Sequence, residues 1–137
     1  MASNPPTRLG DLERAVMEHL WVSTEAHPEG LTVRDVHDAI GVTRGLAYTT
    51  LMTVLDRMAK KQLVTRERDG RAWRYLPASS RDELTSEALH HTLGELAGSQ
   101  RRSALLRFLD QSTPEELDEL RAALADLEQR EGTHQTG

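Results

Sequence analysis

Cysteine is absent from the 137 residues, so neither a disulfide nor a thiolate metal site can hold this chain together. Aromatic side chains are scarce, with two Trp, two Tyr and one Phe, so any core must be mainly aliphatic. No run of about 18 apolar residues offers a spanning helix. The opening "MASNPPTRLG" lacks the basic and apolar segments of a secretory signal, which places the chain in the cytoplasm. A glycine-rich phosphate loop, an HExxH pair and a nucleophile spaced to a base are also missing. Neither an enzyme nor a cofactor is expected.

The composition, 37% apolar and 28% charged, is that of a soluble globular chain. A net charge of −5 argues against nucleic acid only until the chain is divided. Residues 1 to 78 carry 11 Lys and Arg against 10 Asp and Glu, whereas residues 79 to 137 carry 6 against 12. Arg44, Arg57, Lys60, Lys61, Arg66, Arg68, Arg71 and Arg74 fall in one block with only Asp56, Glu67 and Asp69 among them. Such a block is an electrostatic footprint that DNA can use.

Hydrophobic spacing supplies the elements. Leu9, Leu12, Val16 and Leu20 mark one side of a first helix. After the turn-rich "STEAHPEG", an extended Leu31 leads to Thr32, an N-cap for "VRDVHDAI", with Gly41 as the expected stop. A third helix is expected from about Arg44, its core side formed by Ala47, Leu51, Val54, Leu55 and Met58. In "LVTRERDGRAWRYLPA", Asp69-Gly70 signals a hairpin turn. With those two as the loop, Arg68 would face Arg71, Arg66 would face Trp73 and Val64 would face Tyr75. Opposed arginines at the tip make sense against a phosphate. Helix, short strand, two helices and a hairpin make a winged helix-turn-helix over residues 7–78.

The exposed arc of the third helix holds Leu46, Thr49, Thr50, Thr53, Asp56, Arg57 and Lys60, with Lys61 at its border. Threonine hydroxyls and methyls suit base edges in the major groove, and the basic residues suit phosphates. Arg44 at the helix entrance, Tyr48, and the wing residues Arg68 and Arg71 complete the expected DNA-binding set.

The C-terminal part reads as three helices over residues 79–130, with tails at 1–6 and 131–137. Ser80 and Glu83 form a capping box for a helix through about Ala97, carrying Leu84, Leu89, Leu93 and Leu96. "RRSALLRFLD" offers Leu105, Phe108 and Leu109. Thr113, Pro114 and Glu116 start the last helix, lined by Leu117, Leu120, Leu124 and Leu127. About 50 residues with one aromatic cannot bury a stable core alone, so the leucine faces point to a two-fold dimer. The fold class is thus mainly α: an N-terminal winged helix with a two-stranded wing, then a three-helix dimerisation domain.

The segments "LGDLERAVMEHLW", "TVRDVHDAI", "LAYTTLMTVLDRMAKKQLV" and "RDGRAWRYLP" resemble the penicillinase repressor (BlaI/MecI/CopY) family of bacterial transcriptional repressors. The resemblance implies a homodimer on an inverted-repeat operator with arms like TACA and TGTA. It also implies release through a β-lactam-triggered membrane sensor metalloprotease, which leads to cutting between Asn and Phe in the second C-terminal helix. The aligned bond here is Arg107–Phe108, with Arg in place of Asn. The family's copper-responsive branch uses a C-terminal cysteine cluster, which this chain lacks.

Two other classes compete. A metal-responsive regulator would draw on His19, His27, His37, His90, His91 and His134, although adjacent helical histidines such as His90 and His91 point about 100° apart. No metal site is assigned. A winged helix used only for protein interaction would keep the basic wing and lack DNA affinity.

Overall fold

The computed structural model describes residues 9–135, with side chains through Gly132. Helix α1 (Asp11–Ser23) begins where the Glu13 carboxylate accepts the Gly10 N–H at 3.1 Å, and it buries Val16, Met17 and Leu20. Leu9 and Leu12 pack at the margin of that core. Helix α2 (Val33–Val36) opens with the expected cap. The Thr32 hydroxyl accepts from Asp35 N–H at 3.1 Å, while the Asp35 carboxylate accepts from Thr32 N–H at 3.0 Å.

The helix widens into a π-helical turn over His37–Gly41 and ends at Gly41, as expected. A hydrogen-bonded turn follows, in which Arg44 N–H bonds Ile40 O at 3.3 Å, Gly45 adopts φ +69°, Leu46 N–H reaches Gly41 O (2.8 Å) and Gly45 N–H reaches Val42 O (3.1 Å). This is the Schellman arrangement, which satisfies the last carbonyls and turns the following apolar residue onto the core. Gly41 is needed for another reason. A Cβ there would stand 2.5 Å from His37 Cδ2 and 3.2 Å from Leu51 Cδ2.

Helix α3 (Tyr48–Lys60) therefore starts later than the expected Arg44, with Ala47 as its N-cap. Leu51, Leu55 and Met58 are fully buried and Val54 half so, but Ala47 is exposed and lies off the core. Each fully buried aliphatic side chain contributes roughly 1.5–3 kcal/mol of transfer free energy. The same Schellman pattern ends α3: Leu63 N–H to Met58 O at 2.9 Å and Gln62 N–H to Ala59 O at 3.0 Å. Here Gln62, φ +65°, takes the left-handed position.

Strands β1 (Val64–Asp69) and β2 (Ala72–Pro77) pair antiparallel, with Asp69 opposite Ala72, Arg68 opposite Trp73, Arg66 opposite Tyr75 and Val64 opposite Pro77. The loop is Gly70-Arg71, not Asp69-Gly70, so the register differs from the expected one by two residues. A positive φ of +64° falls on Gly70, the first loop position, as a type II′ turn requires. Because the shift is two, every side chain keeps its expected face. Arg68 and Arg71 are not cross-strand partners. Instead Arg74 binds Asp69 at 2.6 Å and Gly30 O at 3.1 Å. Leu31 exchanges both backbone hydrogen bonds with Tyr75 (3.0 and 2.8 Å), adding a one-residue third strand.

Helix α4 (Arg81–Gly94) is capped by Ser80 and Glu83 as expected, but stops at Gly94, short of Ala97. Helix α5 (Gly98–Asp110) follows, then α6 (Pro114–Gln135), which starts from the Thr113–Glu116 capping box. Helix α6 runs past residue 130, into the stretch expected to be a tail. Residues 1–6, 136 and 137 of the expected tails lie outside the described residues.

Two compact units divide at Thr92 and Leu93, inside α4. Most of α4 belongs with the winged helix: Leu84 is in its core, Trp21 Nε1 donates to Ser79 O at 2.8 Å, and Arg81 pairs with Glu18 while lying over the Trp21 ring. In the second unit the Arg101 guanidinium donates to Leu93 O (3.2 Å) and Leu96 O (3.0 Å), tying α5 to the end of α4. Among the described residues of that unit none is buried. No helix among the described residues is long and apolar enough to cross a membrane.

Candidate nucleic-acid interface

Helix α3 presents Thr49, Thr53 and Arg57 on its exposed side, with Asp56 half-buried and Lys60 exposed further along. Thr50 is half-buried at the edge of this arc. Tyr48 opens the helix, and its ring packs edge-on against His37, centroids 6.0 Å apart. Leu46, expected on the exposed arc of the helix, precedes the helix, is half-buried against the core and offers its carbonyl to His37 Nε2 at 2.9 Å. Arg44 is exposed in the turn before α3, not on the helix itself.

The basic residues fall into two groups. Lys61 binds Glu13 of α1 at 2.8 Å, and Lys60 binds Asp56 at 3.1 Å. Arg66 of β1 binds the other oxygen of Asp56 at 3.0 Å. Hydrogen bonds from Lys60 and then Arg66 hold the Asp56 carboxyl below the usual carboxylate range. For Glu13, burial pushes the pKa up, but the Lys61 and Gly10 hydrogen bonds outweigh it and the net shift is downward. By contrast, Arg44, Arg57, Arg68 and Arg71 make no ion pair among the described residues.

On the wing, the expected stacking of Arg66 on Trp73 is present, with the guanidinium carbon 4.7 Å from the ring centroid. Arg68 lies over the same ring at 5.0 Å, so Trp73 gathers two guanidinium groups. Between the α2 start, the first turn of α3 and β2 runs a groove of ≈ 400 Å³, whose walls include Thr32, Arg34, Tyr48, Met52, Arg71 and Trp73. Arg34 and Met52 are additions to the expected set. Met52 is 47% exposed despite its apolar side chain, and its signal was angular, since it lies about 90° from the Leu51–Leu55–Met58 side. Arg34 carried no periodic signal.

Exposed Thr49 and Thr53 on α3 thus share the first unit with the exposed guanidinium groups of Arg44, Arg57, Arg68 and Arg71, none of which forms an ion pair among the described residues. The penicillinase repressor family profile matches residues 9–126. The chain belongs to the penicillinase repressor family. It is 51% identical over 127 residues to the transcriptional regulator BlaI of Mycobacterium tuberculosis, in both the CDC 1551 / Oshkosh and H37Rv strains, covering 92% of this chain and 89% of that protein.

More remote structural likenesses are the Thermotoga maritima transcriptional regulator Tm0710 and MepR, a transcription regulator of the Staphylococcus aureus multidrug efflux pump MepA. Tm0710 is 13% identical, TM-score 0.38, over 90% of this chain and 78% of that one. MepR is 17% identical, TM-score 0.36, over 84% and 77%. Likeness at that level carries no weight. As a penicillinase repressor family member, the chain is a DNA-binding transcriptional repressor and not an enzyme.

Among the described residues no three His, Asp or Glu gather to hold a metal ion. His37 is engaged with the Leu46 carbonyl, and the His134 side chain lies outside those described.

The residues expected to form a dimer face also divide. Leu84 is buried in the winged-helix core, 8% exposed, and is unavailable to a second chain. Leu89, Leu105, Phe108, Leu109, Leu124 and Leu127 are exposed, as is Leu106, which the sequence reading omitted. Leu93, Leu96, Leu117 and Leu120 are half-buried. Arg107 and Phe108 sit in the last turn of α5, both exposed.

Proposed function

We propose that this repressor works in the cytoplasm as a homodimer on an inverted-repeat operator with TACA- and TGTA-like arms, each protomer inserting α3 into one major groove. The observation that carries the reading is the exposed Thr49 and Thr53 pair on α3, together with the exposed Arg44, Arg57, Arg68 and Arg71, which make no ion pair among the described residues. Threonines read base edges, whereas the arginines hold phosphates and fix register. Lys60 and Lys61 already hold carboxylates and rank behind the arginines as phosphate contacts. Tyr48 and Thr50 flank the reading face.

Dimerisation is assigned to the exposed and half-buried apolar residues of α5 and α6, with Leu89, Leu93 and Leu96. Large apolar side chains left exposed on helices of a unit with no buried residue among those described are the kind of surface a partner covers. Pairing two modules raises affinity without any new contact per module. Relief of repression is assigned to a membrane-bound sensor metalloprotease pathway acting on α5, with Arg107–Phe108 as the bond tested first. Cutting there severs α6 from the rest of the chain and removes much of the dimer surface.

The division of labour is testable on a preferred duplex, selected from a random pool by the protein, and on a scrambled one. Arg68→Ala and Arg71→Ala should weaken both alike and flatten the salt dependence by about one unit of slope each. Thr49→Ala and Thr53→Ala should lower affinity for the preferred duplex alone, by about 1–3 kcal/mol. Equal losses on both duplexes from both kinds of change would sink the assignment.

A further inference from the structure

The exposed arc of α3 contains one acid, Asp56, among residues assigned to meet a polyanion. Left unengaged, that carboxylate would repel phosphate and weaken every duplex alike. It is not unengaged. One oxygen binds Lys60 at 3.1 Å and the other binds Arg66 at 3.0 Å. A spacing of i,i+4 accounts for Lys60 as ordinary helix stabilisation. It does not account for Arg66, which comes from the wing and is already steered by the Trp73 ring.

We propose that Asp56 is a specificity-determining residue, which withholds the Lys60 and Arg66 cations from the phosphate backbone and thereby suppresses sequence-independent binding while leaving base reading by α3 intact. This rests on the reading that α3 and the wing meet DNA. Non-specific affinity comes almost entirely from cations that displace counterions from phosphates, so two cations kept on a carboxylate lower it directly. Specificity is a difference of affinities, and a device that penalises the wrong complex raises it as surely as a new contact to the right one. The Asp56 side chain is 41% exposed, so a neutral isostere there leaves the core untouched.

The test compares the full chain with Asp56→Asn by fluorescence anisotropy on the selected duplex and a scrambled duplex, over a salt series. Release of two cations should tighten scrambled binding and steepen its log–log salt slope by about 1.8. The variant's advantage then shrinks about tenfold between 50 and 200 mM salt, a consequence of that slope. The selected duplex should gain less, so the specificity ratio falls. In an Arg66→Gln background, Asp56→Asn should steepen the slope by only about 0.9, because one cation remains to be released. Lys60→Gln and Arg66→Gln alone, with Asp56 present, should leave the slope nearly unchanged.

An unchanged slope in Asp56→Asn, or equal changes on the two duplexes, would reduce Asp56 to a strut between wing and helix and overturn the inference alone. Absence of any duplex binding by the unsubstituted protein would overturn the interface reading and this inference with it.

Discussion

At the scale of single residues, two glycines show how closely this small core is fitted. Gly30 adopts φ +94°, and a Cβ on it would stand 2.8 Å from the Tyr75 carbonyl oxygen, the atom that accepts Leu31 N–H. Neither the backbone conformation nor the neighbour can yield cheaply. Gly30→Ala should destabilise the protein by about 2–4 kcal/mol, read as a lower urea midpoint. Gly41→Ala forces a side chain to move instead, since the nearest atom belongs to the His37 ring. The expected loss is smaller, about 1–3 kcal/mol, because it combines overpacking with loss of the His37–Leu46 hydrogen bond. An alanine as stable as the parent at either position would contradict these packing arguments. Neither requirement was legible in the sequence. Spacing tells which side of a helix is apolar, but not that His37 folds back over its own helix.

At the scale of elements, the same helix ending occurs twice, after the π-helical turn and after α3, and only one of the two was written in recognisable letters. Gly45 supplies the left-handed residue of the first; Gln62 supplies it in the second. Gly41, the first glycine after the periodic residues, closes the π-helical turn, whereas Gln62 carries no stop signal at all. Replacing Gln62 by Gly removes the left-handed penalty at a position outside the helix, so it should stabilise the fold by about 0.5–1 kcal/mol. A lower thermal midpoint for Gln62→Gly would mean that the glutamine side chain makes a compensating contact.

The caps, by contrast, were legible. Thr32, Ser80 and Thr113 each precede an acid three residues on, and each forms the reciprocal pair of hydrogen bonds that this spacing provides. The hairpin was legible in kind but not in register. Asp-Gly marks the turn, yet whether Gly is its first or second loop residue depends on which backbone twist the strands accept. Alternation kept Val64, Arg66, Trp73 and Tyr75 on their expected face, and the Arg66–Trp73 stack survived as a diagonal contact.

At the scale of the whole molecule, the apolar surface is distributed unevenly. Val16, Leu20, Leu51, Leu55 and Met58 are buried within the first unit, whereas the described leucines of the second are at best half-buried. That contrast was foreseeable from length and composition, since a short three-helix segment with one Phe lacks the volume for a core. What could not be foreseen is that Leu84 leaves the leucine series to complete the first core. If a second copy covers the remaining surface, Phe108→Asp, at a residue 56% exposed in the protomer, should leave the winged helix folded but convert a dimer to a monomer. Sedimentation equilibrium at micromolar concentration reads that outcome directly, and an unchanged dimer mass would place the interface elsewhere.

The central claim joins both units: two copies of α3, held by the C-terminal helices, read two half-sites. Its most direct test is fluorescence anisotropy of the purified full chain on a duplex from upstream of its own gene and on a scrambled control, across a salt series, with the stoichiometry of the complex measured. The account predicts selective binding by two protomers per duplex, with affinity falling steeply as salt rises. Binding by one protomer, or equal affinity for both duplexes at every salt concentration, would contradict it.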